Sequence, residues 1–320
     1  MRSLVSITRV RCIHGIDVAA SVTEILDGFR AIAPSDTPHL LDLFETHGKR
    51  AWCYYSPFLN CYHSPPGRQV LVGSYDGATC LLSRTERKQE IYNLVVPPIP
   101  FDPTRTIAFM DFLRERVGVD PRVLWADEED ASQAKAYGFD AEEKEQEYFY
   151  DPSLIAGLEG QPYKELRKRV NRAERKYQPT CRPMGEDDIP AARALLKRWR
   201  KLQGRKHDFL LDWGYTRIAL DRFGDWSVQD LGGWCVDVGG QMGAFGMAGR
   251  MSSDQACFFV AKSDPEMPGL AEILRLHIYR ELSGFRRVND AGDLGLPGLR
   301  QHKRRFRPVE MKPVYSLSRQ

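Results

Sequence analysis

The order of hydrophobic runs and turn signals predicts an α/β chain of two tandem halves, each a mixed central sheet flanked by helices. Two hairpin signals, Asp76–Gly77 and Gly239–Gly240, sit in matching surroundings. After each come a further strand, a helix and a closing strand, at a separation of about 165 residues that suits two domains rather than a solenoid. With 320 residues, each half can bury its own core.

In the first half, Gln69–Tyr75 and Ala78–Ser83 form the hairpin, and Ile91–Val96 is a third strand closed by Pro97 and Pro98. Ile107, Met110, Leu113 and Val117 recur at helical spacing and predict a helix over Thr104–Val117. Pro121 then precedes a short strand, Val123–Trp125. The second half repeats the order with strands Gly233–Asp237, Gln241–Ala248 and Ala256–Ala261. Its helix, Gly269–Leu282, carries the stripe Leu270, Ile273, Leu274, His277 and Ile278, with His277 expected as a hydrogen-bonded core histidine, and Arg286–Asn289 closes the unit. The acidic run Glu142–Glu147 ends the first half, and Gly157 and Gly160 precede a basic helix, so the domains are expected at residues 1–155 and 156–320.

Hydrophobic content of 42% and charged content of 28% are those of a soluble globular protein, which excludes disordered, collagen-like and disulfide-scaffold classes. The seven cysteines are scattered, with no C-x-x-C pair, so thiols in a reducing compartment are expected and no metal site is. Met1–Arg11 is interrupted by Arg2, Arg9 and Arg11 and lacks the core of a signal peptide. No apolar run approaches the roughly 18 residues of a membrane helix, so a cytoplasmic protein without integral membrane contact is expected. The net charge of +3 divides unevenly, −6 over residues 1–150 and +9 over 151–320, which points to an anionic partner on the second half.

The repeated order is compatible with the core of GNAT acyltransferases, in which a mixed sheet splays apart to admit an acyl donor. A CoA-dependent member of that fold holds the pyrophosphate on backbone N–H groups at a helix N-terminus. Here the matching loop is Ser263-Asp-Pro-Glu-Met-Pro-Gly269, whose acids would repel a pyrophosphate and whose prolines remove two donors. The first-half loop, Pro97–Pro103, has four prolines and no glycine. Both argue for a donor other than CoA, and no cofactor is expected.

Three stretches carry a family resemblance. Tyr148–Gly160, followed by Lys164–Tyr177, resembles the "Y-x-Y…L…L-x-G-x-x-x…K-R-N-x-I" passage of the phosphatidylglycerol lysyltransferase C-terminal family. Phe259-Val-Ala-Lys262 with Gly269 is similar to its "E-K-A…G" segment. The most specific match is Val288-Asn-Asp-Ala-Gly-Asp-Leu-Gly-Leu-Pro-Gly-Leu-Arg300-Gln-His-Lys303 through Pro308 and Tyr315, against "N-x-E-x-D-L-G-x-x-G-L-R-x-x-K…P…Y". Pro38–Asp102 is similar in plan. The resemblance implies two tandem GNAT-like domains and transfer of an aminoacyl group from aminoacyl-tRNA, as co-substrate, to an amine or hydroxyl. Ala261 and Ala291 depart from the family, which often has acids there. The membrane-spanning portion of its lipid-modifying members has no counterpart here, so a small-molecule acceptor, such as a natural-product intermediate, is expected. An acyl-CoA N-acyltransferase and a non-catalytic tRNA-binding protein are the alternatives.

With the resemblance in hand, several residues become candidates. The helix Tyr163–Tyr177 turns Tyr163, Leu166, Val170, Ala173 and Tyr177 inward. Its other faces stack Lys164, Lys168, Arg169, Arg172, Arg175 and Lys176, either for tRNA phosphates or as a solvated basic face. A second cluster, Arg193 to Lys206, could widen that surface. Asp293 is a candidate base for the acceptor amine or an Asx-turn cap. Lys303 and Arg300 are candidates for stabilising the oxyanion or anchoring the tRNA terminus, or lie on a solvated helix face. Lys262 would hold the donor's carbonyl or ribose, or be a surface lysine. Asn289 would hydrogen-bond the aminoacyl group or cap its loop. No Ser, Cys or His constellation suggests a covalent intermediate.

Overall fold

The computed structural model describes residues 26, 28–65, 67–86, 90–203 and 211–319; Met1–Arg11, Cys12, Arg205, Lys206 and His207 lie outside them. The strands of the first half are β1 (Arg30–Ala31), β2 (Arg68–Tyr75), β3 (Ala78–Glu86), β4 (Glu90–Leu94), β5 (Val123–Ala126) and β6 (Phe139–Tyr150). Those that follow are β7 (Thr180–Pro183), β8 (Gly232–Val238), β9 (Gln241–Arg250), β10 (Gln255–Ser263), β11 (Arg287–Asn289) and β12 (Glu310–Arg319). The helices are α1 (Thr37–Thr46), α2 (Ser56–Tyr62), α3 (Pro103–Val117), α4 (Glu128–Lys135), α5 (Pro152–Gly157), α6 (Lys164–Tyr177), α7 (Ile189–Gln203), α8 (Leu211–Asp221), α9 (Leu270–Glu281) and α10 (Pro297–Arg305).

Both hairpins form where the turn residues place them. Asp76 and Gly77 have φ of 46° and 75°, and Gly239 and Gly240 have 57° and 78°, the paired positive values that a two-residue turn requires to match strand twist. Asp102 caps α3 by accepting from the Arg105 N–H at 2.9 Å, and Gly118, in the left-handed region, ends it.

Among the described residues the strands join into one mixed sheet, ordered β1-β2-β3-β4-β5-β12-β6-β11-β10-β9-β8-β7. Two elements were not legible beforehand. The acidic run read as the end of a half is the middle of β6, with Glu142 and Glu143 exposed, Glu145 half-buried and Glu147 buried. The tail strand β12 returns to lie between β5 and β6, pairing with β6 from Glu310↔Phe149 to Arg319↔Phe139. The chain's last strand is thus inserted among the strands of its first half.

One core cluster packs α6 and α9 on the second half of the sheet, through Leu166, Val170, Ala173, Leu270, Ile273 and Leu274. Helix α6 buries these positions as its spacing predicts, although Tyr177 is only half-buried. A second cluster unites the halves, joining Trp52, Phe58 and Trp125 to Met247, Phe259 and Val260. His277 departs from expectation: its Nε2 is buried without a hydrogen-bond partner among the described residues, and burial lowers its pKa and keeps it neutral. Among the described residues no helix is long and apolar enough to cross a membrane.

Candidate active site

Strand β10 pairs with β11 in parallel only from Gln255↔Arg287 to Cys257↔Asn289, then runs on to Ser263 without it. The chain beyond β11 turns away because the Asp290 N–H donates to the Tyr148 carbonyl of β6 at 2.9 Å. The two strands therefore part, leaving an open cleft along β10. At its edge the β9–β10 register shifts between Phe258 and Val260, so Phe259 is an extra residue, bulged out of the ladder.

Two connected cavities fill the cleft. The inner one, about 100 Å³, is bordered by Trp52, Glu145, Phe259, Arg275, Asp290 and Lys303. The outer one, about 400 Å³, shares Ala261, Lys262, Arg275, Leu294 and Leu299 with it, and opens toward Trp199 and His302.

The inner cavity concentrates buried charge. Asp290 takes Arg275 in a close ion pair, accepts from Tyr279 Oη at 3.3 Å and has Lys303 Nζ 3.4 Å from its Oδ1. Lys303 is 3% exposed and also donates to the carbonyls of Asp290 and of Ala291, the latter at 3.1 Å. Burial, reinforced by the nearby positive Arg275, lowers its pKa despite Asp290. Glu145 reaches in from β6 and accepts from the Leu294 N–H at 3.2 Å. Burial raises its carboxyl above the ordinary carboxylate range, against the pull of that N–H and Lys303. Gly292 lets it enter, since a Cβ there would collide with the Glu145 carboxylate. The Trp52 indole Nε1 is buried with no hydrogen-bond partner among the described residues.

Beside this cavity lies a polar seam. Glu147 accepts from Asn289 Nδ2 at 2.7 Å and from the Trp52 N–H at 3.0 Å, while Asn289 and Gln255 both donate to the Arg50 carbonyl, at 3.1 and 2.8 Å. Burial pushes Glu147 up to about 8 even with two donors on it.

The structure separates the sequence candidates. Lys303 and Lys262 border the cleft, and Lys262 Nζ lies 4.4 Å from the centre of the Trp199 ring. Lys303 is not on a solvated helix face, because α10 turns it inward and Arg300 outward. Asp293 is 2% exposed and fully engaged by Arg300 Nε at 2.7 Å, Tyr148 Oη at 2.6 Å and the Gly295 N–H at 3.0 Å. Burial alone would raise its pKa, but these three donors outweigh it and hold the carboxyl below its usual range. Asp293 and Arg300 thus make an Asx turn locked by an ion pair outside both cavities. Asn289 likewise spends its side chain on Glu147, Arg50 and the Ala291 N–H, which donates to it at 2.8 Å. Glu145, Trp52, Arg275 and the Phe259 bulge escaped sequence reading. The one local signal for Glu145 was the aromatic run Tyr148–Tyr150 after the acids, which marks a strand.

On α6, Lys164, Lys168, Arg169, Arg172, Arg175 and Lys176 are all exposed. Lys168, Arg169, Arg172 and Lys176 line a groove of about 450 Å³ against Pro268 and Gly269 at the start of α9. Gly269 permits that approach, because a Cβ there would stand 2.5 Å from the Ala173 Cβ. Buried Glu272 stands between the groove and the outer cavity, 3.5 Å from Arg169 on one side and 3.8 Å from His302 on the other. Three members of the second basic cluster are engaged within the protein: Arg193 pairs with Asp221 at 2.7 Å, Arg198 with Asp264 at 2.7 Å and with Glu266, and Arg200 stacks on Trp213. In the loop before α9, the N–H groups of Asp264, Glu266, Met267 and Leu270 donate within the protein, and Pro265 and Pro268 have none. Among the described residues no group of three or more His, Cys, Asp or Glu side chains is placed to hold a metal ion.

A mixed sheet that splays beside a bulged strand, with helices on both faces, is the GNAT-like acyltransferase fold, here in tandem. Residues 67–318 match the family described as phosphatidylglycerol lysyltransferase, C-terminal, and the chain belongs to that family. No curated protein matches the chain. Among solved structures, a conserved protein of unknown function from Bacteroides thetaiotaomicron VPI-5482 superposes with a TM-score of 0.74 at 19% identity, covering 91% of this chain and 99% of its own. The L-PGS of Bacillus licheniformis gives 0.62 at 16% identity, covering 90% and 93%. FemX gives 0.54 at 11% identity, covering 90% and 96%. At such identities the likeness is one of fold.

Proposed function

We propose that the protein transfers an aminoacyl group from aminoacyl-tRNA to an amine or hydroxyl of a small-molecule acceptor, in the cleft between β10 and β11. The observation that carries this reading is the α6 groove with its four exposed cations beside the splayed cleft, the two separated by buried Glu272. Arg169 of the groove and His302 of the outer cavity both approach Glu272, so a polyanion held by the four cations of α6 would lie beside the cleft that its reactive end must reach. Family membership points the same way, and the spent N–H groups of Asp264, Glu266 and Met267 weigh against CoA.

The reaction needs no cofactor, because an aminoacyl ester is already activated. For an amine acceptor, its nitrogen attacks the ester carbonyl carbon and hands its proton to Glu145. The raised carboxyl is a better base than an ordinary glutamate. The negative charge that grows on the carbonyl oxygen lies beside the Phe259 bulge, where the register against β9 shifts, and is met by the positive field of Lys303 and Arg275. The carbon–oxygen bond to the ribose then breaks, and the proton held by Glu145 returns to the departing ribose oxygen. Atoms balance: one ester and one amine become one amide and one free RNA terminus. Asp293, Arg300 and Asn289 serve as positioning residues that fix the loop carrying Ala291 and Gly292. Lys262, at the junction of the two cavities, takes the ribose end of the donor.

The test incubates the protein with total aminoacylated tRNA and a panel of amines, with and without ribonuclease, and follows amide formation by mass. Amide that disappears on ribonuclease treatment is the expected result. Product formed only from acyl-CoA would replace the donor, and tRNA binding without any transfer would leave a binding protein.

A further inference from the structure

We infer that the α6 groove binds a single RNA strand, the unpaired 3′ end of the donor, with its backbone along one row of cations and a base on Tyr177. This deepens the aminoacyl-tRNA reading above and rests on it. Lys168, Arg172 and Lys176 are exposed and follow one another at i, i+4 and i+8, so they form a row along one face of α6. Four helical residues rise about 6 Å, close to the separation of neighbouring phosphates on one strand. A row of that pitch can follow a single backbone nucleotide by nucleotide. Pro268 and Gly269 form the opposite wall and limit the groove to about 450 Å³, which has room for one strand and not for a paired one.

The ion pairs already made there do not block the row. Lys168 meets Glu165 at 2.9 Å, but both side chains are exposed, and such a pair is worth little against a phosphate. Arg169, 3.5 Å from buried Glu272, marks the end nearest the cleft. Tyr177 borders the groove farther along α6, about 12 Å of helix beyond Arg169. Its hydroxyl is buried with no hydrogen-bond partner among the described residues, and the residue packs against the α6–α9 core cluster. The polar tip is thus held inside, and what Tyr177 offers the groove is its ring. Lys176 Nζ lies 4.8 Å from the centre of that ring, so cation and aromatic face stand together. Single strands are held by this combination, phosphates on cations and bases on rings, whereas a duplex keeps its base faces inside its own stack. The base on Tyr177 then lies a few nucleotides before the acylated end, which reaches on past Arg169 to the cleft.

The experiment measures Kd and its salt dependence for the whole protein with three RNAs that carry no amino acid: a hairpin with an unpaired 3′ overhang, the same hairpin made blunt, and the overhang strand alone. The overhang alone is expected to bind within about threefold of the overhang hairpin, with log Kd changing by about 2 per decade of salt, as three phosphates on a single strand require. The blunt hairpin is expected to bind at least about tenfold more weakly. Tyr177→Leu should weaken the overhang about fivefold or more, and Tyr177→Phe, which keeps the ring, should leave it unchanged. Abasic sites placed along the overhang one at a time should reveal one position at which Tyr177→Leu costs nothing further, which a mere loss of packing would not produce. A blunt hairpin bound as well as the overhang, or a Tyr177→Leu cost that is absent or persists at every abasic position, overturns the inference while leaving the donor reading standing. Failure of all three RNAs to bind overturns both.

Discussion

The two halves share an order of elements but treat the gap in their sheets differently. In the first half the strands stay tied where they might part. The Leu94 N–H donates to the Arg122 carbonyl at 2.9 Å and the Trp125 N–H to the Val95 carbonyl at 3.1 Å. Ile99 and Thr79 exchange two more backbone bonds, at 2.9 and 2.8 Å. Trp52, Phe58, Tyr62 and Trp125 stack edge to face over this region. In the second half β11 has three residues, its neighbour runs on alone, and two cavities occupy the space. The same architecture is thus closed by its own backbone in one copy and open to a ligand in the other. The closed copy is no bystander, since Trp52 and Glu145 reach from residues before 156 into the open cleft.

This contrast can be broken most sharply at Glu145. Glu145→Gln is expected to lower the transfer rate about 10² to 10⁴-fold, the usual worth of a positioned base. In the unaltered protein the rate should rise with pH through the raised Glu145 pKa, and the variant should lose that limb. Glu90→Gln, at a first-half pair with Arg84, should leave turnover unchanged; equal losses in both would remove the distinction between the halves.

Lys303→Met should come next. It removes a buried cation that holds the Asp290–Ala291 backbone, so chemical denaturation should show a loss of about 3 kcal/mol, tempered because Asp290 keeps Arg275. Neutralising Lys168, Arg172 and Arg175 together should weaken tRNA binding in low salt and flatten the dependence of log Kd on log salt by about 2 to 3. An unchanged slope would take α6 out of the RNA path. Asp293→Asn should have a smaller effect on turnover than Glu145→Gln, because Asp293 lies outside both cavities and acts through Arg300 and Tyr148.

The smallest effect is a pH slope at the seam. Glu147 moves from 4.5 when unfolded to about 8 when folded, so its contribution to stability is complete below about 4.5 and fades as pH rises through about 8. Thermal melts should show the unaltered protein losing more stability than Glu147→Gln between those limits.

Much of the scaffold could be read in advance because it rests on local signals. Asp76–Gly77, Gly239–Gly240 and the 3.6-residue stripes of α3, α6 and α9 each act within a few residues. The reach of β12 into the first half depends on pairing across some 170 residues, which no local pattern encodes. The site divides in the same way. Lys303 and Lys262 lie in motifs beside the cleft, whereas Glu145 sits in an acidic stretch that reads as solvent-exposed until β6 is placed beside β11. Asp293 drew attention because it follows the closing strand, and its three donors became visible only once Tyr148 and Arg300 were brought to it.

The division between a closed and an open gap is tested most directly by photo-crosslinking. A tRNA minihelix carrying a diazirine on its 3′-terminal adenosine is irradiated with the protein, and the labelled peptides are identified by mass. Labels on the end of β10 around Ala261–Ser263 and on the Leu294–His302 segment are expected. Labels confined to the Pro97–Pro103 loop and β5, or displacement of the RNA by CoA, would contradict the assignment of the donor to the second half.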